Sequence, residues 1–253
     1  MPVNFDTLVA DAAAEPTAGW DFSWFDGRAS EDRPPWGYAN LVAEALVDAR
    51  AALDVQTGGG EVLAAAATGL WHIPFLAATE SWLPNVAVAQ HNLAPLNASV
   101  IAVGDDSLPL RDESFDLVVS RHPVTMPWQE IYRVLVAGGQ VLSQQVGAGS
   151  NWELIEFMMG PQPVGQARAA SRHVGAAKAA GLEVTDLQEA SLDVAFYDVG
   201  AVVYFLRKVL WTVPNFTVEA FMPRLLAMHE VLQSDGAFIA HSKRFLITAR
   251  KPS

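Results

Sequence analysis

The chain has no cysteine, which excludes disulfides, a thiolate nucleophile and any thiolate metal site. Long apolar runs are missing too. The longest, such as Val199 to Leu206, fall far short of the roughly 20 residues that a membrane-spanning helix needs. Basic residues are few: 16 Lys and Arg stand against 28 Asp and Glu, for a formal net charge of −12. They are also scattered, whereas a phosphate backbone requires them concentrated. Extended nucleic acid is therefore not the expected partner. The N-terminus, Met-Pro-Val-Asn-Phe-Asp, lacks a basic segment followed by an apolar one, so no secretory signal is read there. No spacing of His and carboxylates suggests a metal site, and none is expected. The missing signal and the missing membrane span predict a cytoplasmic protein without a membrane partner, the absence of cysteine being neutral on compartment.

What is present points to a packed α/β core. Of 253 residues, 51% are hydrophobic and 17% charged, enough apolar material to cover a sheet on both faces, and disorder is excluded as the default. The length fits one large domain over 1–253. Within it, residues 1–38 are expected to form a cap or lid, 39–187 the core, and 188–253 a helical insertion with a final strand. Helical spacing runs from Ala39 to Ala49. A short strand at Ala51–Val55 leads into glycines and a helix from Glu61 to Thr68. Strands are expected at 73–79, 99–103, 115–120 and 140–145, with helices at 86–93 and 128–135 between them and a turn at Ala137-Gly138-Gly139. Alternating strand and helix at this pitch indicates parallel βαβ units. Beyond Gly147 the pattern loosens. A helix at 167–180 and a short strand at 183–187 precede apolar helices at 199–210 and 217–233, and the chain closes on a strand at 245–249. The fold class is thus a doubly wound, Rossmann-like, mostly parallel sheet of seven strands with helices on both faces.

In such a sheet, ligands bind beyond the C-terminal ends of the strands. Four positions there carry signals. After the first strand comes Asp54-Val55-Gln56-Thr57-Gly58-Gly59-Gly60. Glycines allow a ligand to lie against the backbone, or they serve a tight strand-to-helix turn. The spacing is not the G-x-G-x-x-G of a dinucleotide site. After the second strand stands Glu80, a carboxylate able to accept from both hydroxyls of a ribose, or simply an exposed acid. Trp82 follows, placed to lie against an aromatic ring or under the loop. After the third come Asp105 and Asp106, able to accept from an amino group or to form an Asp-rich turn. After the fourth come Ser120, Arg121, His122 and Pro123, facing the centre of the expected crevice.

Taken in order, A-L-D-V-Q-T-G-G-G-E-V-L, the acid at Glu80, G-D-D-S-L-P-L-R-D-E-S-F-D-L-V-V-S and E-I-Y-R-V-L-V-A-G-G-Q-V-L resemble the class I S-adenosylmethionine-dependent methyltransferases, in their small-molecule branch. The resemblance runs from about Ala51 to Val146. It implies S-adenosyl-L-methionine as cofactor. Asp54, Gln56, Gly58 and Gly60 would lie against its methionine portion, Glu80 with Ser81 against the ribose, Asp105 and Asp106 against the adenine, and Ser120 beside them. One departure stands out: the family's first loop glycine is Gln56 here. The family's Pro before the Gly-Gly turn is Ala137.

Methyl transfer from a sulfonium asks the protein mainly to align a nucleophile and exclude water. A hydroxyl acceptor also needs a base, and His122 is the candidate. Arg121 would anchor an anionic acceptor, and Arg28, Trp36 and Tyr38 would act as a lid. Trp20, Phe22 and Trp24 are expected to pack at a sheet edge. The late apolar helices would wall an acceptor pocket or form a homodimer face. The acceptor expected is a small molecule. The rival expectations are a cofactor-binding protein without catalysis and a methyltransferase acting on RNA or protein, the former of these two acceptors disfavoured by the acidic balance.

Overall fold

Short runs of small and β-branched residues bounded by glycine or turn residues form the strands, and alanine-rich amphipathic runs form the helices between them. The computed structural model describes residues 4–17, 22–70, 74–104 and 107–253. In chain order the elements begin with α1 (Phe5–Ala14), β1 (Ala29–Glu31), α2 (Tyr38–Asp48), β2 (Ala51–Asp54), α3 (Glu61–Ala67) and β3 (Phe75–Glu80). Then come α4 (Leu83–Leu93), β4 (Ser99–Ala102), β5 (Phe115–Arg121), α5 (Trp128–Val134), β6 (Leu135–Val146) and α6 (Trp152–Met159). The last are α7 (Ala170–Ala179), β7 (Glu183–Phe196), α8 (Val199–Lys208), α9 (Val218–Asp235) and β8 (Phe238–Arg250).

The chain divides into two compact units. The parallel-sheet unit takes residues 34–148, 166–190 and 244–253. The strands form one sheet of eight in the order β1-β7-β8-β6-β5-β2-β3-β4, one more than the seven expected, the extra strand being the three-residue β1. β4, β3, β2, β5 and β6 are mutually parallel, and β8 runs antiparallel to β6. The chain leaves β2 toward β3 and β4, then returns to β5 on the other side of β2. That reversal is a topological switch point at the C-terminal ends of β2 and β5, the place where open α/β sheets bind ligands. Side chains alternate between faces with period two. Leu53, Val118 and Val141 pack with Ile131, Val134 and Ala177 in one layer. Ala52, Leu76, Val119 and Leu142 pack with Val42, Leu46, Leu63 and Leu93 in the other. The expected turn at Ala137–Gly139 is an irregularity within β6. The pairing jumps from Phe115 with Leu135 to Leu117 with Gln140, and Gly138 takes a φ of 77°.

The helical unit takes residues 1–33, 149–165 and 191–243. Here β1 pairs antiparallel with Val194–Phe196. The core combines Phe5, Leu8 and Val9 with Leu154, Phe196, Val202, Leu206, Leu225 and Met228. Helix α8 is capped by Asp198, whose carboxylate accepts from the Ala201 N–H at 2.9 Å, and α9 by Thr217. A cavity of about 550 Å³ is lined by Phe5, Val9, Arg207, Phe216 and Met222 among others. Trp24 and Phe25 pack on this helical core, Trp24 against Tyr204 of α8, rather than at the sheet edge expected for Trp24, and Phe22 is exposed. Trp20 lies outside the described residues. Among the described residues, no helix is long and apolar enough to cross a membrane, and no group of three or more His, Asp or Glu could hold a metal ion.

Candidate active site

All the site residues described here, apart from Arg28, belong to the parallel-sheet unit. Strand β2 ends at Asp54, and three residues among the next six adopt the left-handed conformation: Gln56 (φ 57°), Gly58 (φ 65°) and Gly60 (φ 80°). This lets the chain turn sharply from β2 into α3. The glycines differ in what surrounds them. A Cβ on Gly58 would meet nothing within 4 Å, so the loop there faces open space. A Cβ on Gly60 would stand 2.8 Å from Leu93 Cγ. On the side where a side chain would stand, Gly60 is therefore packed against α4. The loop is tied down on its far side by Asn92, which donates to the Gly59 carbonyl at 2.9 Å.

Glu80 ends β3 and is buried. One carboxylate oxygen accepts from the Gly58 N–H and the other from the Trp82 N–H, each at 2.8 Å. It thus joins the glycine loop to the turn before α4. Beside it Asp54 is buried and accepts from the Thr57 hydroxyl at 2.7 Å. Burial pushes the Asp54 carboxyl up to about 7, with the Glu80 charge adding to the rise. The Thr57 hydrogen bond and Arg121 oppose it. Thr79, fully buried, accepts from the Gln56 N–H at 3.2 Å on its hydroxyl and from the Thr57 N–H at 2.9 Å on its carbonyl. Ser81 is exposed and Trp82 half-exposed at this rim.

The Gln56 side chain extends to the loop after β5. Its Oε1 accepts from the Val124 N–H at 2.6 Å and its Nε2 donates to the Thr125 carbonyl at 2.8 Å. Ser120 is fully buried and donates to the Val55 carbonyl at 2.7 Å, so its hydroxyl binds the ends of β2 and β5 together. Arg121 is exposed at the end of β5. His122 follows in the left-handed region (φ 55°), its N–H donating to the Gln144 carbonyl at 2.7 Å.

The His122 ring is held by a hydrogen-bonded chain. Trp36 Nε1–H, which can only donate, reaches Gln144 Oε1 at 2.6 Å. The other end of that amide is therefore its NH₂ group, 2.9 Å from His122 Nε2. His122 Nε2 must accept, which puts the ring proton of the neutral imidazole on Nδ1. Burial, then the charges of Arg121 and Arg244, hold His122 well below the usual imidazole range. The lone pair that a general base would use is thus already engaged by Gln144, which corrects the simple assignment of His122 as a ready base.

The expected lid residues are all fixed. Trp36 is bound to Gln144. Tyr38 opens α2 as a buried core residue, its hydroxyl 3.5 Å from the Leu142 carbonyl, and its phenol is raised well above its ordinary value by burial, then by Asp54. Arg28 lies in the helical unit, bound through two nitrogens to Asp198 at 2.8 and 2.9 Å and stacked on Trp24. Its guanidinium is occupied structurally. Asp105 and Asp106 lie outside the described residues. Sequence reasoning missed Thr57, Thr79, Asn92 and Gln144. A polar residue at the C-terminal end of a buried strand is the one signal that marked Gln144, and Asn92 had none.

Comparison with known proteins matches this unit. Residues 53–143 match the model of a family described as a methyltransferase domain, which bears out the resemblance carried by the motifs. No curated protein matches the chain. Among solved structures, a candidate methyltransferase from Bacillus halodurans is 22% identical, with 85% of this chain and 99% of that chain covered and a TM-score of 0.60. The cyclase SpnF is 19% identical, covering 98% of this chain and 93% of that one, with a TM-score of 0.53. Phosphoethanolamine N-methyltransferase 2 of Haemonchus contortus, solved with phosphomonomethylethanolamine and S-adenosylhomocysteine, is 17% identical over 86% of this chain and 53% of that chain, with a TM-score of 0.50.

Proposed function

We propose that this chain, matched over residues 53–143 by the methyltransferase domain, is an S-adenosylmethionine-dependent methyltransferase acting on a small-molecule acceptor. The observation that carries the reading is the buried Glu80 carboxylate. It stands at the C-terminal end of β3, beside a glycine loop whose Gly58 faces open space. A carboxylate offers about four lone-pair positions, and two backbone N–H groups engage one on each oxygen. Acceptor capacity therefore remains on both oxygens for the paired hydroxyls of a ribose. Asp54 would meet a cationic amino group, and the half-exposed Trp82 would offer a ring face to an adenine. The cofactor would supply an electrophilic methyl group on a sulfonium.

The residues of the chain hold, orient and desolvate. Arg121 is the charged side chain at the crevice mouth available to an anionic acceptor. His122, whose Nε2 accepts from Gln144, presents an N–H donor and is assigned an aligning role. Proton removal from a hydroxyl acceptor would require that bond to open. The test is calorimetric titration with S-adenosylmethionine and S-adenosylhomocysteine, followed by transfer of labelled methyl to a panel of small acceptors. Micromolar binding with label incorporated supports the reading; absence of binding to either compound sinks it.

A second reading, a protein of this fold with another reaction or none, is favoured by one observation. A cyclase shares the fold over nearly the whole chain, so fold alone does not specify methyl transfer. Cofactor binding without label transfer to any acceptor would select this reading.

A further inference from the structure

Gln56 has an unusual conformation for a residue with a side chain. Its φ of 57° lies in the region where glycine is at ease and where other residues are held only by their surroundings. Its N–H is fixed to Thr79, and its side-chain amide meets two consecutive residues of the loop after β5, accepting from Val124 and donating to Thr125. The amide thus imitates one rung of a β-ladder between two loops. Val124 is 73% exposed, so its side chain adds little packing to hold this stretch. The loop carries His122 at one end and runs into the buried Trp128 at the other. A glycine at 56 offers the same backbone path and its N–H, but neither of the side-chain bonds to Val124 and Thr125.

We infer that Gln56 is a positioning residue, a clasp through which occupancy of the glycine loop sets the order of the loop bearing His122. The clasp rests on the methyltransferase reading only for the ligand that fills the glycine loop. Both ends of the amide are used, so a ligand that immobilises Thr57–Gly60 stiffens the Gln56 backbone and, through it, Val124 and Thr125. The acceptor side is then ordered after the cofactor side is filled.

Amide hydrogen exchange on the full chain, with and without S-adenosylhomocysteine, tests this at one reporter, the Val124 N–H. In the wild type its exchange is slow and slows further when the ligand binds. In Gln56→Gly, which adopts the left-handed conformation without strain, Val124 exchange quickens by about tenfold. It also stops responding to S-adenosylhomocysteine added at a concentration that calorimetry shows to saturate the variant, whatever its affinity. Gln56→Glu keeps an acceptor for Val124 but loses the donor to Thr125, and should fall between the two; it decides the matter if the glycine variant does not fold. Unchanged Val124 exchange in the variants, or the same ligand-induced slowing in Gln56→Gly as in the wild type, overturns the clasp. If the wild type binds no S-adenosylhomocysteine, the function reading fails, while the ligand-free comparison at Val124 still decides whether the clasp exists.

Discussion

Glu80 and the glycines before α3 show how differently neighbouring residues serve one loop. Removing the Glu80 carboxylate leaves the Gly58 and Trp82 N–H groups without their acceptor and removes at once the oxygens proposed to meet the ribose. Glu80→Ala should weaken binding of S-adenosylhomocysteine by about 1–3 kcal/mol, the scale of lost charge-assisted hydrogen bonds. Calorimetry on a folded variant that shows wild-type affinity would take Glu80 out of the site. Gly58 and Gly60 share a left-handed backbone yet differ in consequence. Gly58→Ala adds a methyl to open space, so its stability cost should be confined to about 1–2 kcal/mol of backbone strain, with ligand affinity reduced. Gly60→Ala adds the same strain and drives its Cβ onto Leu93. Its melting temperature should therefore fall further than that of Gly58→Ala, and thermal unfolding of the two side by side checks the order.

Among the elements, strands β2, β3 and β5 were legible because each is short, largely buried and bounded by turn residues. Strand β5 was expected at 115–120 and runs to Arg121. The same reasoning placed Asp54, Glu80 and His122 at strand ends. It failed on β7 and β8, expected at 183–187 and 245–249 but spanning Glu183–Phe196 and Phe238–Arg250, because polar runs such as Gln188-Glu189 and His241-Ser242-Lys243-Arg244 interrupt the apolar signal within them. It also missed α1, whose alanines carry little periodic signal, and β1, three residues held by its partner. Partners were the least legible feature. Nothing in the sequence says that Trp36 on the approach to α2 fixes a glutamine on β6, which in turn fixes His122. That chain makes a prediction. Gln144→Glu replaces the amide donor facing His122 with a carboxylate, which favours the imidazolium. The His122 pKa should rise from its depressed value, and NMR titration of the ring should show the shift. A ring titrating as in the wild type would mean that Gln144 does not govern it.

At the scale of the whole molecule, the buried Asp54 links stability to pH. Its carboxyl titrates near 3.8 when unfolded and about 7 when folded. Below the lower value both states are protonated, and the group contributes nothing to pH dependence. As pH rises between the two, the unfolded chain loses this proton while the folded chain keeps it, so the folded state binds more protons and stability falls. Above about 7 both are ionised and the loss is complete, on the order of 4 kcal/mol if no other group responds. Asp54→Asn can still accept from the Thr57 hydroxyl but carries no titrating group. Chemical denaturation of both proteins from pH 5 to 8 should therefore give curves that diverge, the variant gaining on the wild type as pH rises. Glu130 and His122 titrate in both proteins and largely cancel in the difference. A ligand that places a cationic amino group on Asp54 favours its ionised form, so binding near pH 6 should release a proton. Calorimetry in two buffers of different ionisation enthalpy would register that proton as a buffer-dependent heat. Parallel denaturation curves would show that Asp54 is ionised throughout this range in the folded protein, and a buffer-independent heat would place the cation elsewhere in the crevice.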